Sequence, residues 1–237
     1  MKILLNRLGF FAGLAVALLV ATGCQSSNRA CCTMPGPAGS AGTAAPPAVQ
    51  TKASQAAMTP QQALAELRAG NARFVAGQYP IAVILSCLDS RQPSEIVFDQ
   101  GIGDIFSARV AGNVLNDDIL GSMEFACKVS GAKLIAVVGH SNCGAIKGAV
   151  DDVELGNLTG LLSKIKPAMD GVSADVQPRT SKNYAFVDQV SEANVRLVMK
   201  EIPERSPILR EMLDQGQIAL VGGMYDLATG KVRFFDN

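Results

Sequence analysis

Two short apolar runs constrain this fold more than anything else in the chain. Residues Ile81 to Ser86 and Lys133 to Gly139 are rich in branched side chains and lack polar alternation, the pattern of strands buried on both faces in a parallel sheet. The first run ends at Cys87 and the second at His140. Open α/β sheets place their reactive groups at the carboxyl ends of strands, so both residues are candidates for one site. Between the runs, Asp104 to Val110 reads as a third strand. Asn116 to Ser130 reads as a helix, with Asn116 or Asp117 as its cap and Gly131 as its stop. Cys127 in that helix is a core residue on this reading, since free cysteine packs as a small hydrophobe.

The stretches after the two runs are Cys87-Leu88-Asp89-Ser90-Arg91 and His140-Ser141-Asn142-Cys143-Gly144. Two thiolates and an imidazole are a ligand set suited to zinc, and His140 is the only histidine in the chain. Cys143 enters a predicted helix through Gly144-Ala145-Ile146, which favours its thiolate. Cys87, Asp89 and Arg91 are spaced by two, so an extended chain points them to one side. A zinc on Cys87, His140 and Cys143 keeps a fourth position for water or for the carboxylate of Asp89. Arg91 can hold that carboxylate off the metal with a two-pronged hydrogen bond. A purely structural zinc with Asp89 as fourth ligand is the competing reading. Structural sites usually show closely spaced ligand pairs on both sides, and Cys87 has no such neighbour, so three ligands with an open position favour catalysis.

The chain has 237 residues, 48% of them hydrophobic, enough for one globular core. Lys plus Arg equals Asp plus Glu at 21 each, so no global field gathers a polyanion and nucleic acid is excluded as a partner. Six cysteines are too few for a disulfide scaffold. Lys2 and Arg7 precede an apolar run from Leu8 to Val20, and Ala21-Thr22-Gly23 leads into Cys24. Residues 1–23 therefore read as an export signal, too short to span a bilayer comfortably. Its end resembles a bacterial lipoprotein signal, although that family usually has Leu where Ala21 stands. The resemblance implies lipidation of Cys24, and Gln25 implies sorting to the outer membrane. An uncleaved anchor and an ordinary secretory signal are the alternatives. From Cys24 to Met58 the chain is mostly Ala, Gly, Pro, Ser and Thr, a flexible tether in which Cys31 and Cys32 have no assignable role.

The domain, residues 59–237, opens at Thr59-Pro60-Gln61-Gln62, a capping box with proline at the first helical position. Leu64, Leu67, Phe74 and Val75 share one face of the helix that follows, interrupted near Gly70-Asn71 and closed by Gly77; that face needs a partner, its own core or another subunit. Leu155 to Met169 reads as a helix, and a longer one runs from Ser181 until Pro203 breaks it. Another starts at Ser206-Pro207 and stops at Gly216. Gln217 to Met224 and Lys231 to Phe235 read as strands joined by a turn at Thr229-Gly230.

The paired motifs resemble those of the β-class carbonic anhydrases, across most of Thr59 to Phe235. Supporting stretches are Gly70-Asn71-Ala72-Arg73-Phe74, Phe98-Asp99-Gln100-Gly101 with Phe106, and Arg109-Val110-Ala111-Gly112-Asn113. The resemblance implies an α/β fold with a mainly parallel central sheet flanked by helices, and an N-terminal helix packed on a partner subunit. It implies Zn2+ on Cys87, His140 and Cys143, a catalytic pair of Asp89 and Arg91, and substrate-binding roles for Gln78, Phe106 and Gly144. Gln78 and Phe106 commonly come from the neighbouring subunit. The implied reaction is reversible hydration of CO2 to bicarbonate and a proton by hydroxide on zinc. The implied assembly is a homodimer or higher homo-oligomer. Members with a regulatory bicarbonate site carry a tryptophan before the first cysteine, and this chain has no tryptophan; a water-open zinc with Asp89 paired to Arg91 is therefore expected. Related activities are hydrolysis of carbon disulfide or carbonyl sulfide, and a non-catalytic zinc- or bicarbonate-binding envelope protein is the reading from another class. Together with the signal, the expected location is the periplasmic face of the envelope, as an outer-membrane lipoprotein whose only membrane contact is its lipid.

Overall fold

The computed structural model describes residues 51–75 and 77–235; the signal, Cys24, Cys31 and Cys32 lie outside them. Five strands form one sheet: β1 (Ala82–Ser86), β2 (Ile105–Arg109), β3 (Leu134–His140), β4 (Ala219–Tyr225) and β5 (Val232–Phe234). The order is β2-β1-β3-β4-β5. The first four run parallel, and β5 turns back antiparallel on β4. Both apolar runs are thus central strands, and every residue of β1 is buried.

Alternation across the pleat divides the core. Val83, Leu85, Ile135 and Val137 face one layer with Leu120, Met123, Cys127, Val195, Val198, Ile202 and Leu209. These come from α4 (Asp117–Glu124) and the π-helical turn Phe125–Val129, from α7 (Tyr184–Arg205), and from α8 (Pro207–Asp214). Ala82, Ile84, Ala136 and Val138 face the other layer, against Phe98 and Val232. Each fully buried Val, Leu or Ile contributes roughly 2 kcal/mol of burial free energy. Cys127 is a core residue, as expected, and burial raises its thiol to about 11.

The register sets the height of the site. Ser86, the last residue of β1, pairs with Val138, whereas β3 continues to His140 beside Tyr225 of β4. Cys87 therefore leaves the sheet next to the end of β3. Cys143 follows at the N-terminus of α5 (Gly144–Val150). A third cluster, built from α5, α6 (Gly156–Ser163), the 3-10 turn Lys166–Gly171 and α7, closes over this end and includes Cys87 and Cys143. A short helix, α3 (Ser94–Val97), follows the Arg91 loop.

Several boundaries depart from the sequence reading. The end of the tether carries a helix, α1 (Lys52–Ala57), because Thr51 and Ser54 form a reciprocal capping box over an alanine-rich turn. The next helix, α2 (Pro60–Val75), is not interrupted at Gly70-Asn71; its capping box stands as expected, Gln62 N–H donating to Thr59 Oγ1 at 3.2 Å and Thr59 N–H to Gln62 Oε1 at 2.8 Å. Leu155 to Met169 is not one helix: α6 ends at Ser163, and after Lys164 and Ile165 the chain tightens into a 3-10 turn with Pro167 in its first positions. The long helix begins at the Asn183 cap and runs through Pro203 to Arg205. Proline is tolerated there because it sits in the last turn, where Ser206 N–H still reaches Ile202 and Arg210 Nε donates to the Pro203 carbonyl at 2.7 Å. Among the described residues no helix is long and apolar enough to cross a membrane.

Candidate metal centre

The ligand atoms of Cys87, His140 and Cys143 lie within 4.8 Å of one another, all three residues buried. Each arrives from a different device: Cys87 from the end of β1, His140 as the last residue of β3, and Cys143 as the cap residue of α5. The two sulfurs are 3.9 Å apart. Ligands at the roughly 2.3 Å bonds of a tetrahedral zinc thiolate site stand about 3.8 Å from each other, so the pair is already spaced for such an ion.

The histidine supplies the third test of fit. Nδ1 lies 2.9 Å from the Ser141 carbonyl, which makes Nδ1 the donor and turns the Nε2 lone pair inward. Nε2 is buried without a hydrogen-bond partner. An orphaned ring nitrogen costs on the order of 1–3 kcal/mol in an apolar interior, and a metal removes that cost. The donor set and geometry thus fit zinc.

The electrostatics of Cys87 point the same way. The hydrogen bond with Cys143 lowers the Cys87 thiol to about 4; burial opposes this, while His140 and the Gly112 and Asp89 N–H groups assist. The same bond and burial push Cys143 up, as expected of two thiols sharing one proton. Burial lowers His140, but its interaction with Cys87 outweighs this and leaves the imidazole above its ordinary value.

Asp89 and Arg91 stand at the rim. Arg91 Nε donates to Asp89 Oδ1 at 2.9 Å and Nη2 to Oδ2 at 2.7 Å, and the Arg91 backbone N–H adds a bond of 3.0 Å to Oδ1. The guanidinium holds the Asp89 carboxyl well below the usual carboxylate range. Both carboxylate oxygens are therefore engaged by Arg91, and this comes from a turn at Ser90-Arg91, closed by Gln92 N–H donating to the Asp89 carbonyl at 3.0 Å, rather than from an extended, alternating chain. Leu88 is exposed.

Two contributions were not legible as such. Arg109, the last residue of β2, donates from Nε to the Cys87 carbonyl at 3.1 Å and from Nη2 to the Asp89 carbonyl, so it shapes the loop that presents both. Gly112, at φ +65°, donates its N–H to Cys87 Sγ at 3.4 Å. A Cβ there would meet Ile165 Cδ1 at 2.7 Å and Ala145 Cβ at 3.2 Å, so a larger residue would have to displace Ile165 and hold a left-handed backbone. The available signal was the stretch Arg109-Val110-Ala111-Gly112-Asn113 itself, which carries part of the family resemblance.

Of the other expected residues, one lies beside the ligand cluster and two lie on other segments of this chain. Gly144 is adjacent to the cluster, exposed at the first turn of α5. Gln78 is exposed on the segment before β1, beside Gly103. Phe106 faces the Val83 layer, edge-on to Phe125 at 6.3 Å, and lines an open cleft with Ser107, Ile119 and Gly121.

Ligation predicts how the thiols respond to metal removal. With zinc bound, Cys87 should resist alkylation; after chelation its lowered pKa should make it the thiol that is modified, while Cys127 stays protected by burial and its raised pKa. Peptide mapping by mass spectrometry resolves the two, and equal labelling of Cys87 with and without zinc would exclude it as a ligand.

The carbonic anhydrase family profile matches residues 82–232. A carbonic anhydrase 2 of Mycobacterium tuberculosis is 34% identical over 196 residues, covering 75% of this chain and 94% of that protein. Among solved structures, the β-carbonic anhydrase CcaA superposes with a TM-score of 0.64 at 22% identity, over 74% of this chain and 82% of its own. A structure from a study of two tetrameric β-carbonic anhydrases of Sordaria macrospora gives 0.61 at 22% identity, over 79% and 98%. These two share the fold, while the matched profile and the mycobacterial relative carry the kinship. This chain belongs to the β-class carbonic anhydrase family.

Proposed function

We propose that this chain catalyses reversible hydration of CO2 to bicarbonate and a proton, at a zinc held by Cys87, His140 and Cys143, from the periplasmic face of the cell envelope and as a homo-oligomer. The observation that carries the chemistry is the buried triad with the unpartnered Nε2 of His140, set beside a carboxylate occupied by Arg91. When bound, zinc supplies Lewis acidity and brings the pKa of a water toward neutrality. Asp89 would be the nearby acceptor for a water held there, and it stays ionised because Arg91 holds its pKa down. Arg91 engages both carboxylate oxygens and would so keep them off a bound ion. Arg109 fixes the backbone on which Asp89 stands. Gly144, at the mouth of α5, and Gln78 and Phe106, which we assign to a pocket completed by a neighbouring copy, contact substrate.

His140 is the sole histidine and is consumed as a ligand, so the proton leaves through buffer, water or a carboxylate. Stopped-flow CO2 hydration with zinc analysis tests the reading. The unmodified protein should carry zinc and turn over at a rate that rises with buffer concentration. Cys143→Ala should lose zinc, and Asp89→Asn should keep zinc but lose roughly 10²-fold in rate. Full zinc without hydration by the unmodified protein would refute the anhydrase activity.

The location rests on the N-terminal sequence, basic residues and an apolar run leading through Ala21-Thr22-Gly23 to Cys24. Expressed in a Gram-negative host, the full chain should incorporate labelled palmitate and fractionate with outer membranes. Cys24→Ser should abolish both, and unchanged labelling of that variant would rule out the anchor.

The assembly is supported by α2, whose apolar residues are exposed, Leu67 at 73% and Val75 at 72% alongside Leu64 and Phe74. Such a face is buried by another element or not at all, and we assign it to a second copy of the chain. Light scattering should give a dimer or a multiple of it, and Leu67→Glu with Phe74→Glu should shift the mass toward monomer.

A further inference from the structure

We propose that one side of α7 is the frame of the zinc site, with Asp188, Ser191 and Asn194 acting as positioning residues for the His140–Cys143 segment and for the Gly112 turn that bonds Cys87. The proposal rests on the zinc reading above. The three recur every third residue, a slanting row about 9 Å long; two meet the His140–Cys143 segment and the third meets the Gly112 turn beside Cys87. Asp188 Oδ1 accepts the Asn142 N–H at 2.7 Å. Asn142 has φ +57°, a left-handed conformation that few non-glycine residues adopt, and it lies between the ligands His140 and Cys143. Ser191 Oγ donates to the His140 carbonyl at 3.1 Å. Asn194 Nδ2 donates to the Gly112 carbonyl at 2.9 Å, and the Gly112 N–H in turn donates to Cys87 Sγ.

Burial makes these bonds informative. Ser191 and Asn194 are each 1% exposed, on a helix whose neighbouring inward residues are Val187, Val190, Val195 and Val198. A polar side chain in such a row is costly unless a specific bond holds it. The helix is also pressed against the strand it serves: a Cβ on Gly139 would meet Val195 Cγ2 at 2.8 Å, Met224 Sδ at 2.9 Å and Ser191 Oγ at 3.0 Å. The His140–Cys143 segment and, through Gly112, the Cys87 sulfur are thus tied to one rigid rod. Such a rod can hold Sγ, Nε2 and Sγ at zinc spacing without help from the metal.

Zinc affinity of the full chain, by competition with a chromophoric chelator, tests this together with the visible spectrum of the cobalt-substituted protein. Asp188→Ala and Ser191→Ala should each weaken zinc binding about 10- to 100-fold and shift the cobalt bands. Asp188→Asn keeps an acceptor oxygen for Asn142 and should stay within about threefold of the unmodified protein. Alanine variants that melt at lower temperature yet bind zinc as tightly as before would reduce the row to ordinary packing and overturn the proposal. So would an Asp188→Asn as weak as Asp188→Ala, since charge and not the hydrogen bond would then matter. An unmodified protein that takes up no zinc would overturn the zinc reading itself, and this proposal with it.

Discussion

Everything at the working end of this fold depends on placing two thiols and an imidazole together in an apolar interior. Cys87, His140 and Cys143 are each less than 5% exposed, and their surroundings are Val, Ile, Leu and Phe side chains. Without an ion the cluster holds a shared thiol proton and an unpartnered ring nitrogen, an expensive arrangement in low dielectric. A sheet that ends in such a cluster gains stability by binding a metal, because binding energy at a preformed site adds to folding energy. The same preformation demands rigid support, and the register of β1 against β3 supplies the first layer of it.

The electrostatic division of labour follows from depth. Deep in the cluster, the low thiol of Cys87 and the raised Cys143 belong to one pair. At the rim, the Asp89 side chain is 17% exposed and Arg91 is 59% exposed, so their attraction is screened and contributes little to stability. Its value is geometric: a bidentate pair fixes where the carboxylate oxygens point. An isolated surface ion pair of that strength would be unremarkable, but here it decides what occupies the space beside the metal.

Much of this was legible because burial on both faces leaves few residue types for a central strand. The runs ending at Cys87 and His140 show this; β1 and β3 fall within one residue of the reading from composition alone. The ligand residues were legible for a related reason, since zinc accepts few side chains and this chain has one histidine. Arg109 and the α7 row were not, because their partners lie 20 to 82 residues away and no local period marks such a bond. Ser191 and Asn194 did leave a trace, as polar residues on the apolar side of a helix. Proline misled in both directions: Pro203 sits where a last turn tolerates it, while Pro167 was passed over inside an assumed helix.

The parts that stand outside the ligand cluster share a physical property. Gln78 is exposed, α2 presents Leu67 and Val75 to solvent, and Phe106 lines an open cleft on the β2 side of the sheet. β2 is itself an edge strand, and an uncovered edge invites pairing or cover. A helix of 16 residues is only marginally stable on its own propensity and needs its apolar stripe buried. The second copy of the chain proposed above would relieve these exposures by covering them. The metal triad, by contrast, is complete within each chain, so the ligand cluster is formed by the fold alone while the exposed stripe of α2 is left for assembly to bury.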